Sequence, residues 1–276
     1  ITKGGVAVDN IAFHNVYAIR DDASVSVDLA GVKTLEGMEL TAGAFEFVLK
    51  DRSGAVVQTV TNYANGHFQF APLSFTKVGA YVYTVSEKAG TNAGITYDKT
   101  VYTVMIVVED NAQGGLDYTL TINNATEEVD VIEFKNSYKI SDDAFVTVKI
   151  DGNKKLVGMT LEKDMFEFII KDKDGNTLQS VKNGANGEFT FTEIKLTSVG
   201  TYTYTVSEKV GDDKRMSYDT SVYTVTVIVS DDGNGGLAKE VSIIKEDKAV
   251  ENIEFINTYT PKPDDITVEI DITKIV

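Results

Sequence analysis

An all-β fold, built as two tandem β-sandwiches of one kind, is predicted by three observations. Short runs of Tyr, Val, Thr, Ile and Phe alternate with polar residues at period two; Asn-Gly, Asp-Gly and Gly-Gly pairs punctuate them; and the whole pattern occurs twice in 276 residues. Side chains on a strand point alternately to opposite faces, so period-two alternation marks a strand with one buried face. No long stretch shows helical periodicity. Many short strands with turns at this spacing argue for a sandwich.

The repeat can be read in register. Lys33-Thr-Leu-Glu-Gly37 answers Lys154-Lys-Leu-Val-Gly158, Phe45-Glu-Phe47 answers Phe166-Glu-Phe168, and Ala64-Asn65-Gly66 answers Ala185-Asn186-Gly187. Tyr97-Asp98 answers Tyr218-Asp219, and Phe134-Lys135-Asn136 answers Phe255-Ile256-Asn257. Each pair is offset by 121, since 154 − 33 and 257 − 136 agree, so the copies align with no net insertion.

In the first copy, strands are predicted near 24–33, 44–50, 55–60, 67–71, 80–87, 101–109, 116–122 and 129–137. Ser53-Gly54, Asn65-Gly66 and Gly114-Gly115 separate them; Asn-Gly suits a tight turn because both residues tolerate positive φ. The second copy repeats the order, with turns at Asp174-Gly175, Asn186-Gly187 and Gly233-Asn-Gly-Gly236. Ile11-Ala-Phe13-His-Asn15-Val-Tyr17 answers Ile132 to Tyr138 at the same offset, so residues 1–17 are expected to be the closing strand of a preceding, truncated repeat. The first domain then spans 18–138 and the second 139–259. Residues 260–276 read as a linker followed by the opening strand of a further truncated repeat, Ile266 to Lys274. Each joint carries an Asp-Asp pair, read as solvated linker charge, and Thr260-Pro-Lys-Pro263 stiffens the last.

Composition removes several classes of function. A net charge of −16 argues against nucleic acid and anionic membrane surfaces as partners. No apolar run approaches the length that spans a bilayer, so no membrane insertion is expected in this segment. The chain has no cysteine, which excludes disulfides, thiol chemistry and Cys-based metal centres. Its two histidines, His14 and His67, both fall on outward parity, and no metal site is expected. Asp172-Lys-Asp-Gly-Asn176 has half the spacing of a calcium loop but lacks the late Glu, and reads as a hairpin turn. No cofactor fingerprint occurs.

The same parity test exposes three polar residues on apolar faces. In Gly79-Ala-Tyr-Val-Tyr-Thr-Val-Ser-Glu87, the residues Tyr81, Tyr83, Val85 and Glu87 share one face, and Tyr202, Tyr204, Val206 and Glu208 repeat it. On the opening strand Val25, Val27, Leu29, Gly31, Lys33 and Leu35 share a face, and Lys154 occupies the matching position; Lys149 and Lys155 have the opposite parity and should be solvated. On the closing strand Ile132, Phe134, Asn136 and Tyr138 align, as do Ile253, Phe255, Asn257 and Tyr259. Alone, such a lysine snorkels to water, such a glutamate ends a strand, and such an asparagine is a satisfied core residue. Three of them, in register in both copies, point to chemistry. Desolvation lets a lysine lose its proton and a glutamate keep one. A neutral amine attacks an amide carbon, while a glutamic acid polarises the carbonyl and shuttles protons as ammonia leaves. The product is a Lys–Asn isopeptide bond, formed once per domain without turnover.

Lys-x-Leu-x-Gly, Phe-x-Phe, Gly-x-Tyr-x-Tyr-x-Val-x-Glu, Tyr-Asp-x-x-x-Tyr and Phe-x-Asn-x-Tyr together resemble the isopeptide-linked pilin and adhesin stalk domains of Gram-positive bacteria, the CnaB-like domains of streptococcal major-pilin type. The resemblance covers both copies. It implies Ig-like sandwiches, a Lys33–Asn136 bond formed under catalytic Glu87, and a Lys154–Asn257 bond formed under catalytic Glu208. Asn15 and Lys274 follow the pattern as orphan crosslink residues of the truncated repeats, and are expected to be unlinked. The implied role is a structural stalk on the extracellular, cell-wall-anchored surface, with neighbouring repeats of the same protein as partners and no turnover activity. A cell-wall sorting signal and a complete pilin polymerisation motif are absent from this sequence, and Lys262 reads as a linker residue. The alternative is an adhesive module that binds a host protein or glycan through its loops, which an exposed aromatic cluster in one copy only would mark.

Overall fold

The computed structural model describes residues 2–7, 9–10 and 13–262. The chain divides into two compact units, 1–139 and 140–276. Both are all-β among the described residues.

In the first unit a six-stranded antiparallel sheet runs in the order Glu128–Val129, Leu116–Asn123, Val101–Asp110, Gly79–Lys88, Glu46–Asp51, Val56–Thr61. A four-stranded sheet has the order Ile95–Thr96, Ile132–Tyr138, Ala30–Glu36, His67–Gln69. Val25–Val27 pairs separately with Leu73–Phe75. Phe47, Leu49, Val85, Val104 and Ile106 of the larger sheet pack with Phe68, Ile132 and Phe134 of the smaller in one core. At its centre the rings of Phe47 and Phe68 stack, with centroids 3.8 Å apart.

The second unit repeats this plan. Its larger sheet is ordered Thr177–Lys182, Glu167–Lys171, Gly200–Glu208, Val222–Asp231, Leu237–Lys245, Lys248–Val250, and its smaller one Glu188–Thr190, Asp151–Val157, Glu254–Tyr259, Met216–Ser217. Val146–Val148 pairs with Ile194–Leu196. Phe168 stacks on Phe189 at 3.8 Å.

One pairing positions everything that follows. The closing strand lies parallel to the opening strand, with Phe134 opposite Lys33 and Asn136 opposite Leu35. Phe255 stands opposite Lys154 and Asn257 opposite Leu156 in the second unit. Lys33 and Asn136 therefore project from adjacent strands on the same face, one diagonal step apart.

The strand predicted at 24–33 is two strands, broken at Asp28–Leu29 where the chain leaves the Leu73–Phe75 ribbon for the four-stranded sheet. Leu29 O accepts the Phe70 N–H there at 3.0 Å. Val27, Leu29, Gly31 and Lys33 are all buried, so alternation runs straight through the break. The strand predicted at 129–137 divides likewise into Glu128–Val129 and Ile132–Tyr138, each in a different sheet. The short strands Leu73–Phe75 and Ile95–Thr96 carry too few residues to show a period.

The strand expected over 1–17 is not formed by its described closing part. Residues 13–20 have no regular structure, and among the described residues before them the strands are Thr2–Lys3 and Val6–Ala7, which pair with each other. Alternation alone does not make a strand; its backbone groups need a ladder partner. Tyr17 is instead tied to a loop, its hydroxyl donating to Asp110 Oδ1 at 2.5 Å and accepting the Gly114 N–H at 3.0 Å. The strand expected at Ile266–Lys274 lies outside the described residues.

Candidate functional site

The glutamate strand and the opening and closing strands belong to facing sheets, so Glu87 reaches across the core to the Lys33–Asn136 diagonal. Lys33 Nζ donates to Glu87 Oε2 at 2.6 Å, and Asn136 Nδ2 donates to Glu87 Oε1 at 2.5 Å. In the second unit both corresponding distances are 2.5 Å, Lys154 Nζ to Glu208 Oε2 and Asn257 Nδ2 to Glu208 Oε1. The side chains of both Lys–Glu pairs are 0% exposed. Asn136 and Asn257 are buried. Each carboxylate thus bridges an amine and a carboxamide out of water.

Aromatic and loop residues form the rest of the chamber. Lys33 Nζ lies 4.6 Å from the centroid of the Phe45 ring, and Lys154 Nζ lies 4.6 Å from that of Phe166. Phe45 is held by the buried Asn62, whose Oδ1 accepts the Phe45 N–H at 2.9 Å while its Nδ2 donates to Thr41 O at 2.8 Å and Tyr63 O at 3.0 Å. Asn183 does the same for Phe166 at 2.8 Å, donating to Glu162 O and Gly184 O. The Tyr97 ring meets Phe45 edge-on, as Tyr218 meets Phe166. Tyr102 grips the closing strand, its hydroxyl donating to Glu133 O at 2.6 Å and accepting the Glu133 N–H at 3.1 Å.

The asparagine carbonyl has a partner of its own. The Asp98 backbone N–H donates to Asn136 Oδ1 at 2.7 Å, and the Asp219 N–H donates to Asn257 Oδ1 at 2.7 Å. From sequence, that oxygen is expected to face the glutamate; in the structure the glutamate instead accepts the carboxamide N–H, as suits a carboxylate oxygen, which can only accept.

Burial sets the electrostatics. It pushes the amines of Lys33 and Lys154 below the usual lysine range, although the facing carboxylates pull the other way. Burial likewise raises the Glu208 carboxyl, against the hydrogen bonds from Lys154 and Asn257. Both directions favour the neutral amine and neutral acid over the ion pair. Burial also pushes Asp98 upward, but the donors Thr100 and Lys135 outweigh it and hold that carboxyl low; Ser221 and Ile256 do so for Asp219. A neutral amine beside a carboxamide, with one carboxyl touching both, is arranged for transamidation.

One protein family matches this chain twice, the Spy0128-like isopeptide containing domain, FctA, over residues 29–139 and 150–260. The chain belongs to that family. Among solved structures, the FctA pair is similar to the major pilin protein (T-13) from Streptococcus pyogenes, at 18% identity over 86% of this chain and 98% of that one, with a TM-score of 0.33. A crystal structure of the major pilin from Streptococcus pyogenes gives 18% identity over 84% and 98%, with a TM-score of 0.33, and the shaft pilin spaA from Lactobacillus rhamnosus GG gives 14% over 86% and 99%, with a TM-score of 0.25. No curated protein matches the chain.

Of the residues singled out from sequence, the structure brings Lys33, Glu87 and Asn136 together in the first FctA unit and Lys154, Glu208 and Asn257 in the second. Lys149 and Lys155 are exposed. Asn15 is exposed, and Lys274 lies outside the described residues. Phe45, Asn62 and Asp98, with their counterparts, join the site without having been expected there from sequence. All recur at the 121-residue offset, and that recurrence was the available signal.

Proposed function

We propose that each unit closes an intramolecular isopeptide bond, Lys33 to Asn136 and Lys154 to Asn257, with Glu87 and Glu208 as the catalytic groups. The observation that carries this reading is one buried carboxylate within hydrogen-bond distance of both reacting nitrogens, repeated in both units. Glu87 takes a proton from the Lys33 ammonium, leaving a neutral amine and a carboxylic acid. The amine lone pair attacks Asn136 Cγ, and the new N–C bond forms as electrons move onto Oδ1. When the carbonyl reforms, the Cγ–Nδ2 bond breaks and Glu87 relays the proton that lets Nδ2 leave as ammonia. Amine plus carboxamide become a secondary amide plus one ammonia, with no oxidant and no turnover.

The role that follows is a stalk segment of a Gram-positive surface protein or pilus, extracellular and wall-anchored, with domains at 18–138 and 139–259 and neighbouring repeats or subunits as partners. A Lys33–Asn136 link closes a loop of about 100 residues, for which the chain-entropy treatment of crosslinks gives nearly 5 kcal/mol. Family membership supports this reading, as does the absence of cysteine, which leaves the amide as the available covalent staple. Intact mass tests it. The purified chain should weigh two ammonia molecules less than its sequence, Glu87→Ala should retain one loss, and adding Glu208→Ala should retain none. A chain at its full sequence mass rejects the proposal.

A further inference from the structure

We infer that Asp98 and Asp219 supply the oxyanion donor of the crosslinking reaction through their backbone N–H, and that each one's own carboxylate clamps that donor in place. The inference rests on the transamidation reading above.

Attack on Asn136 Cγ drives an electron pair onto Oδ1, so the developing charge needs a donor already aimed there. Glu87 cannot serve, because its two oxygens face the amine and the leaving nitrogen. The Asp98 N–H is in place at 2.7 Å. It sits between the strands Ile95–Thr96 and Val101–Asp110, where no ladder holds the backbone. The side chain substitutes for the ladder: Asp98 Oδ1 accepts the Thr100 N–H at 2.8 Å, and Oδ2 accepts the N–H of Lys135, next to Asn136, at 2.8 Å. The loop is thereby fastened to the strand bearing the electrophile. Asp219 reproduces the set, accepting the Ser221 and Ile256 N–H groups at 2.9 Å. Neighbouring residue types differ between the copies (Thr100 against Ser221, Lys135 against Ile256) while the backbone contacts persist. An aspartate is what the two share.

A purely electrostatic role predicts the opposite outcome. The Asp98 carboxylate favours the Lys33 ammonium, so discharging it would release the neutral nucleophile and speed the reaction. Asp98→Asn therefore separates the two accounts by sign. It keeps an acceptor for Thr100 but turns a donor toward the Lys135 N–H.

The test uses the full chain carrying Glu208→Ala, so that only the first unit reacts. Chain made in a short cell-free pulse is held in denaturant, diluted into buffer and followed by intact mass. Asp98→Asn and Asp98→Ala should lose ammonia at least about tenfold more slowly than the Asp98 parent, a modest part of the effect of deleting an oxyanion donor. An unchanged or faster rate overturns the inference. Far-UV spectra of Glu87→Ala with and without Asp98→Asn establish that the variant folds. Should it not fold, folded wild type decides: a through-hydrogen-bond NMR coupling between the Asp98 amide and the residue-136 side-chain carbonyl carbon is expected, and its absence overturns the inference. If the Glu208→Ala parent never loses ammonia, the transamidation reading itself fails, which is a distinct result.

Discussion

At the scale of single residues, the site is a contest between burial and attraction. Lys33 faces a carboxylate at 2.6 Å, which favours the ammonium, yet withdrawal from water is the larger effect and its affinity for the proton falls. The sign for reactivity follows. A lowered lysine pKa means that neutral amine persists to lower pH than for a free lysine, and falling pH removes it by protonation. Dilution of denatured, unlinked chain into a pH series should show ammonia loss slowing toward acid, with a midpoint below the ordinary lysine value of 10.5. A midpoint at the free-lysine value would mean that the chamber does not desolvate the amine. Asn62 is the second residue of consequence. Asn62→Ala strands the Phe45 N–H and two loop carbonyls in a buried place, so it should cost the first unit at least about 2 kcal/mol in denaturant unfolding.

At the scale of elements, turn geometry feeds directly into the site. Gly66 adopts φ +85°, and a Cβ there would lie 2.3 Å from the backbone oxygen of Lys33, whose N–H is itself bonded to Gly66 O at 2.8 Å. Gly66→Ala should therefore destabilise the first unit by about 1–3 kcal/mol and slow its crosslinking, measured by unfolding midpoint and by mass; Gly187→Ala should do the same to the second. These elements also show what sequence reveals and what it hides. Lys33, Glu87 and Asn136 stood out because each interrupts an apolar alternation on a strand. Asn62 and Asp98 lie where period two assigns no facing, and Asp98 contributes an N–H that nearly every residue has. Phe45 broke no rule, since an inward phenylalanine is ordinary core. The break at Asp28–Leu29 was hidden because burial keeps its alternation across it. The parallel pairing of opening and closing strands is a long-range register that no local pattern encodes.

At the scale of the whole chain, that parallel pairing decides how force is borne. Adjacent parallel strands pulled from their outer ends are loaded along their length, so ladder bonds share the load in shear. If the proposed isopeptide bond spans the same pair, tension passes from residue 33 to residue 136 through a covalent link rather than through the ladder. Stretching one wild-type unit in a single-molecule experiment should release none of the intervening chain, whereas Glu87→Ala should lengthen the first unit by roughly 340 Å, about 100 residues at the extended spacing. An equal lengthening in wild type would show that the staple is absent.

The stacked order of the strands has a consequence for survival as well. Joining positions 33 and 136 turns everything between them into a ring, and a ring cut once is still one object. A protease that clips the exposed loop at Ala112–Gln113 would leave both new ends of a crosslinked chain tethered, so the nicked molecule stays in one piece on a denaturing gel.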